Sequence, residues 1–156
     1  MIPVRPFRIA VCCSGTPDDE NDRLAEEVGM AIGRAKAILI CGGLFGGMEA
    51  AARGAVSAGG ITIGFLPGVN TDDANDYIVV PLATGLGEAR NFVLVRSADA
   101  VIGIGGEWGT LSELALAKKI GKPIVLLRPA LAANWGLPVA QTPEQAVQMA
   151  LSFAQP

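Results

Sequence analysis

Short apolar runs alternate along this 156-residue chain with longer segments in which apolar residues recur at helical spacing. The runs carry few polar positions, which is typical of strands covered on both faces of a parallel sheet. One helical segment places Leu24, Val28 and Ile32 on a single stripe, and another begins after the N-cap candidate Thr142 with Pro143 in its first turn. We expect strands at 7–13, 37–40, 61–66, 77–82, 100–104 and 124–127, and further helices at 48–57, 88–97 and 110–120.

The repeated order of strand and then helix predicts an α/β fold. We expect a doubly wound, mostly parallel sheet with helices on both faces. Neither an internal repeat nor a linker interrupts the pattern, so the whole of 1–156 is predicted to form one domain.

Three glycine-rich turns follow predicted strands, at 14–16, 42–47 and 105–110. In a parallel sheet, such turns meet at one edge and lead into helix N-termini, where free N–H groups and the helix dipole favour an anion. The sequence therefore predicts a site for a phosphate or a similar anion. No Gly-Lys-Ser/Thr triplet and no clean G-x-G-x-x-G is present, and Pro17 has no N–H to offer, which disfavours a dinucleotide-dependent oxidoreductase.

Composition narrows the chemistry further. The chain has 12 Lys and Arg against 15 Asp and Glu, a net charge of −3, which argues against nucleic acid as a partner. It contains no histidine, which excludes Ser-His-Asp and Cys-His catalysis and every histidine-containing zinc site. We expect no metal site, and we expect Cys12, Cys13 and Cys41 to be buried free thiols.

With neither a signal peptide nor a membrane-spanning stretch, a cytoplasmic protein is predicted, with no membrane partner.

The most distinctive sequence lies between residues 85 and 113: GLGEARN at 85–91, SADAVIGI at 97–104 and GGEWGTLSE at 105–113. Together with CGGLFGGMEA at 41–50, it closely resembles the LOG-like superfamily, once labelled lysine decarboxylases. That superfamily has a Rossmann-like fold and includes cytokinin-activating phosphoribohydrolases and molybdenum cofactor carrier proteins. The GLGEARN form resembles the bacterial branch close to the carriers. The resemblance implies a small phosphorylated ligand, no required cofactor, and the molybdenum cofactor as a candidate bound molecule.

Two activities follow from this resemblance. Arg90 and Glu113 match the arginine and glutamate of the phosphoribohydrolases, which cleave the N-glycosidic bond of nucleoside 5′-monophosphates. Asn91 stands where those enzymes carry Lys, and Glu107 stands within their Pro-Gly-Gly turn, so a binding or carrier protein is favoured over a hydrolase. The residues expected to bind ligand are Ser14, Gly15, Gly42, Gly43, Gly46, Met48, Arg90, Asn91, Gly105, Gly106, Glu107, Gly109 and Thr110, with Arg90 and Glu113 catalytic only in a hydrolase.

Structural roles compete with these functional ones. Arg90 and Glu113 are also suited to an ion pair between two helices. If Thr110 is the N-cap of its helix, Glu113 completes a capping box by reaching back to the Thr110 N–H. Apolar residues make up 51% of the chain, and the predicted helix at 88–97 is apolar nearly all round. We therefore expect a homo-oligomer, a dimer or tetramer, with the outer side of that helix as a contact.

Overall fold

A computed structural model describes residues 1–129 and 135–153. The seven strands within these residues are β1 (Arg8–Cys12), β2 (Ile38–Cys41), β3 (Ile61–Leu66), β4 (Val80–Ala83), β5 (Ala100–Ile104), β6 (Ile124–Leu127) and β7 (Val139–Ala140). They form one sheet in the order β4-β3-β2-β1-β5-β6-β7, and every pairing is parallel. The predicted α/β, Rossmann-like fold is confirmed. The helices are α1 (Asp19–Arg34), α2 (Gly47–Ser57), α3 (Arg90–Ser97), α4 (Trp108–Lys119) and α5 (Pro143–Ser152).

The helices cover the sheet in two layers, each with its own apolar core. On one face, α1, α2 and α5 pack against one set of alternate strand residues, which includes Ile9, Leu39 and Ile102. On the other face, α3 and α4 pack against the opposite set, which includes Ala10 and Ile40. Because the central strands β1 and β5 are buried on both sides, they are apolar at nearly every position.

Helices α1 and α2 approach each other closely at two glycines. A Cβ atom on Gly29 would stand 2.0 Å from the Ala51 carbonyl oxygen, and one on Gly54 would stand 2.0 Å from that of Glu26. Neither position has room for a side chain. The contact fixes α2, and with it the turn that precedes α2 at the edge of the sheet.

Most predicted elements are present, and their starts differ from the expected ones by three residues or fewer. Strand β4 begins at Val80 rather than at residue 77, because the Thr62 hydroxyl donates to the Tyr77 carbonyl and accepts from the Val79 N–H. These side-chain bonds occupy the groups that strand pairing needs. Helix α4 begins at Trp108 rather than at Thr110. The two-residue β7 has no readable pattern and was missed, whereas Thr142 caps α5 as predicted by accepting from the Gln145 N–H.

Two short 3-10 turns, Thr71–Asp73 and Gly87–Ala89, complete the described elements. Cys12, Cys13 and Cys41 are buried free thiols, as predicted. Within residues 1–129 and 135–153, no helix has the length and apolar character needed to cross a membrane.

Candidate functional site

A cavity of about 130 Å³ lies at the carboxyl edge of the sheet, next to the end of β1 and the first turns of α2, α3 and α4. This is the edge at which ligands bind in parallel sheets. Nine of the residues predicted for the site line it: Ser14, Gly15, Met48, Arg90, Asn91, Glu107, Gly109, Thr110 and Glu113. They come from four separate segments of the chain.

The other predicted glycines shape the walls of the site without lining this cavity. Gly46 has a φ of 67°, and a Cβ atom there would stand 2.6 Å from the Gly15 carbonyl oxygen. Gly47 donates its N–H to the Ser14 carbonyl over 3.0 Å, which joins the first two turns. A Cβ atom on Gly42 would meet the Arg90 and Met48 side chains, and one on Gly43 would meet Leu66. One on Gly105 would meet the Asn21 side chain, and Gly106 lines a neighbouring cavity.

The helices that meet at the cavity have no side-chain caps. Helices α1 and α5 are capped by Asp18 and Thr142, whereas α2, α3 and α4 have no side-chain hydrogen bond at their N-termini. In α4, the N–H groups of the first turn therefore have no acceptor within the helix and no capping side chain. Together with the helix dipole, they form the part of the site best suited to an anion.

Arg90 is buried, with 7% of its surface exposed, and it is bonded to the fold. Its Nη1 donates to the Gly42 carbonyl over 2.6 Å and also to the Phe65 carbonyl, which joins the second glycine turn to the end of β3. Its Nε has no hydrogen-bond partner in the described part of the chain. Arg90 is thus a structural residue that also lines the cavity. Between Arg90 and Glu113, both described, no ion pair forms within 4.0 Å.

Glu113 lies on α4 and lines the cavity. Burial raises the pKa of its carboxyl group to about 7, although a hydrogen bond with the Cys12 thiol and the charge of Arg90 act in the opposite direction. Burial and the neighbouring Glu113 raise the pKa of Cys12 well above the usual value, so that thiol keeps its proton. Near pH 7, the Glu113 carboxyl group is therefore partly protonated.

The capping role considered for Thr110 and Glu113 is wrong. Glu107 occupies the N-cap position, so Thr110 falls in the third position of the helix and Glu113 one full turn beyond the positions that cap. Nothing in the local sequence marks this start, because Trp108 and Gly109 are poor helix-start signals. The Thr110 hydroxyl is buried, with no hydrogen-bond partner among the described residues.

Carboxyl groups outnumber cations around the cavity. Glu88, Glu107 and Glu113 all line it, against the single guanidinium of Arg90. Glu107 accepts a long hydrogen bond from the Thr16 hydroxyl, over 3.4 Å. No group of three or more Cys, Asp or Glu residues in the described chain is arranged to hold a metal ion. Side-chain charge therefore gives a phosphate dianion little support inside the cavity itself.

Two lining residues, Cys13 and Glu88, were not predicted for the site from the sequence. Cys13 was correctly predicted to be buried, but no sequence signal places its thiol at a cavity. Glu88 lies two residues before Arg90 in the 3-10 turn, and that proximity was the available signal. Beyond Glu107 and Gly109, a second cavity of about 450 Å³ extends over Trp108 and Leu111. It leads to an apolar groove of about 550 Å³ between α4 and Trp135.

Comparison with known families matches residues 6–153 to the SLOG cluster4 family model. The chain belongs to the SLOG cluster4 family. This confirms the LOG-like resemblance carried by the glycine turns and by the segment from 85 to 113. An uncharacterized protein of Archaeoglobus fulgidus is 43% identical over 146 residues, covering 94% of this chain and 95% of that protein.

The similar proteins with stated roles include one hydrolase and two molybdenum cofactor proteins. A cytokinin riboside 5′-monophosphate phosphoribohydrolase of Mycobacterium tuberculosis is 34% identical over 144 residues, covering 83% of this chain and 72% of the enzyme. The solved molybdenum cofactor binding protein of Rippkaea orientalis is 36% identical, with a TM-score of 0.91, and covers 98% of this SLOG cluster4 chain and 100% of that one. The molybdenum cofactor carrier protein of Chlamydomonas reinhardtii is 32% identical, with a TM-score of 0.87 and coverage of 96% and 99%.

Proposed function

We propose that the protein binds and carries a small phosphorylated heterocycle, a nucleotide or a pterin such as the molybdenum cofactor. The observation that carries the proposal is the meeting at one cavity of three helix N-termini that have no side-chain cap, beside lining residues with unpartnered polar atoms. Capped helices elsewhere in the same chain make this arrangement specific to the cavity. The likeness in sequence and fold to two molybdenum cofactor proteins supports the same role.

In this proposal, the ligand lies across the turns at 42–47 and 105–110. Its phosphate binds the first-turn N–H groups of α4, where the helix dipole contributes without any side-chain cation. The second cavity, next to Gly106 and Gly109, has room for the remainder of the molecule. No cofactor is required for this role, and the molybdenum cofactor would be the cargo.

The alternative is a phosphoribohydrolase, and one observation favours it. Glu113 and Arg90 line the same cavity, and the Glu113 pKa of about 7 lies in the range in which a carboxyl group works as a general acid. Against it, Arg90 is bonded to two backbone carbonyls, and Asn91 and Glu107 depart from the hydrolase pattern. A carrier remains the better supported role.

A single assay with AMP separates the two activities. The purified protein is incubated with AMP, and binding is measured by calorimetry while released adenine is measured by chromatography. We expect binding without release of adenine. Release by the wild type that is lost in Glu113→Gln, and kept in the control Glu144→Gln on the exposed surface of α5, would establish the hydrolase instead.

A further inference from the structure

An apolar groove of about 550 Å³ runs along α4. Trp108, Leu111 and Ala115 recur on the helix at helical spacing and line the groove, together with Trp135 and Leu137 from the segment between β6 and β7. Trp108 is 86% exposed and Trp135 is 61% exposed. Helix α3, whose outer side is the contact predicted from the sequence, packs beside α4 on the same face of the sheet. A single copy of a protein rarely leaves so much contiguous apolar surface open to water, so this face fits a partner.

Charge is divided between the two ends of the groove. Lys118 and Lys119, both exposed, line the end at the last turn of α4. At the other end, Glu107 is exposed beside Trp108 and occupies the N-cap position. The face therefore carries an acidic group, an apolar middle and a basic pair, in that order along the helix. Such a face is complementary to itself when a second copy is turned end over end.

We infer that a second copy of this chain covers the groove, with α4 packed antiparallel against the partner's α4, and that Lys118 and Lys119 of each copy complete the anion site of the other. The register follows from the spacing along the helix. With a two-fold axis midway between Leu111 and Ala115, each of these residues packs on the other one in the partner. The last turn of each α4 then lies beside the first turn of the partner's helix, which brings Lys119 to the partner's Glu107.

The anion site is short of positive charge within one chain. Of the described residues that line the cavity, Arg90 alone is a cation, and its Nη1 is bonded to two backbone carbonyls. Glu88, Glu107 and Glu113 line the same cavity. Lysines of the partner would add positive charge at the first turn of α4, where the phosphate is proposed to bind. This part of the inference rests on the proposed function, whereas the contact between copies does not.

Both tryptophans of the chain line the groove, so intrinsic fluorescence reports on it directly. Light scattering gives the mass of the same samples at micromolar concentration. We expect Leu111→Asp to halve the mass and to shift the tryptophan emission to longer wavelengths, because indoles that the partner covered return to water. Ser112→Asp, at an exposed position of α4 that does not line the groove, is the matched control and should change neither.

Exchanging the charges tests the antiparallel register. Glu107→Lys and Lys119→Glu each put like charges opposite one another, twice per pair of copies, and each should weaken the pairing about tenfold. The double variant Glu107→Lys/Lys119→Glu restores opposite charges across the contact and should recover most of the affinity. Effects that simply add, with no recovery in the double variant, would overturn the inferred contact.

Calorimetry with AMP tests the lysines at the anion site, at concentrations where light scattering shows paired copies. The double variant Lys118→Ala/Lys119→Ala should bind AMP about tenfold more weakly than the wild type, because charge-assisted contacts to the phosphate are lost. Arg5→Ala removes an exposed charge elsewhere and should bind AMP as the wild type does. An unchanged affinity in a double variant that still pairs would overturn the role of the lysines.

The remaining outcomes separate this inference from the proposed function. A monomeric wild type overturns the inference, and if AMP then quenches its tryptophan emission, the ligand itself occupies the groove and the proposed function stands. Failure of both AMP and neopterin monophosphate to bind at millimolar concentration would overturn the proposed function and the role of the lysines. Recovery of pairing in the charge-exchanged variant would still confirm the contact between copies.

Discussion

At the scale of single residues, Arg90 connects the site to the fold. Its place at the cavity was predictable from the sequence resemblance, but its bonds to the carbonyls of Gly42 and Phe65 were not, because they join segments far apart along the chain. The same holds for the unpartnered atoms of Asn91 and Thr110, which depend on the packing around them. Sequence identifies residue types at a site, whereas the partners that each atom finds depend on tertiary contacts.

Arg90→Ala is expected to lower the free energy of unfolding by about 3 kcal/mol, because two buried carbonyls lose their donor. Arg90→Lys should cost less, since an ammonium group still donates to one of them. Chemical denaturation followed by circular dichroism measures both, with Arg5→Ala at an exposed position as the control. If Arg90→Ala and Arg5→Ala are equally stable, the hydrogen bonds of Arg90 do not stabilise the fold.

Glu113 should make stability depend on pH. Its pKa is about 7 in the folded protein against an ordinary value of 4.5, so between these values the folded state holds more protons than the unfolded state. The contribution of Glu113 is therefore most favourable below about pH 4.5 and is lost as pH rises to about 7, by up to about 3 kcal/mol.

Glu113→Gln lacks that dependence. Its melting temperature should exceed that of the wild type by more at pH 8 than at pH 5, as measured by calorimetry. Parallel profiles for wild type and Glu113→Gln would mean that the carboxyl group titrates normally.

At the scale of elements, the apolar runs were sufficient to predict six of the seven strands in the described chain. Strands buried on both faces leave a plain signal, and the exposed edge strand β4 is apolar as well. The starts of β4 and α4 were not predictable. One depends on the Thr62 side chain bonding across to Tyr77 and Val79, and the other on a helix start with no capping side chain. The close approach of α1 and α2 was also hidden, since Gly29 and Gly54 look like ordinary interruptions of a helix.

The close approach of α1 and α2 can be tested by substituting one of its glycines. Gly29→Ala would place a methyl group 2.0 Å from the Ala51 carbonyl oxygen, and we expect a loss of about 3 kcal/mol in the free energy of unfolding. Gly109→Ala, also within a helix, meets no atom within 4 Å and should leave stability unchanged or slightly raised. Equal effects of the two substitutions in thermal denaturation would contradict the helix contact.

At the scale of the whole molecule, the parallel sheet brings together at one edge residues as far apart in sequence as Ser14 and Glu113. The alternation of elements predicted that edge, and the glycine turns marked it, but only the fold shows which of the glycines face the cavity and which support it.

The expectation of a homo-oligomer belongs to the same scale. Phe92 and Val93 on α3 are partly exposed, at the surface predicted for a contact between copies. We expect light scattering to give the mass of a dimer or tetramer at micromolar concentration. Val93→Lys should lower that mass, whereas Val69→Lys, at an exposed loop position, should not. A monomeric wild type would contradict the expectation outright.

The central claim is that the cavity holds a phosphorylated heterocycle that the protein carries unchanged. Native mass spectrometry of the protein purified from cells tests it most directly, with the bound molecule then released by denaturation and identified. We predict a phosphorylated pterin or nucleotide at close to one molecule per chain, intact. A bound molecule without phosphate, or a free base beside ribose 5-phosphate in place of an intact ligand, would contradict the account.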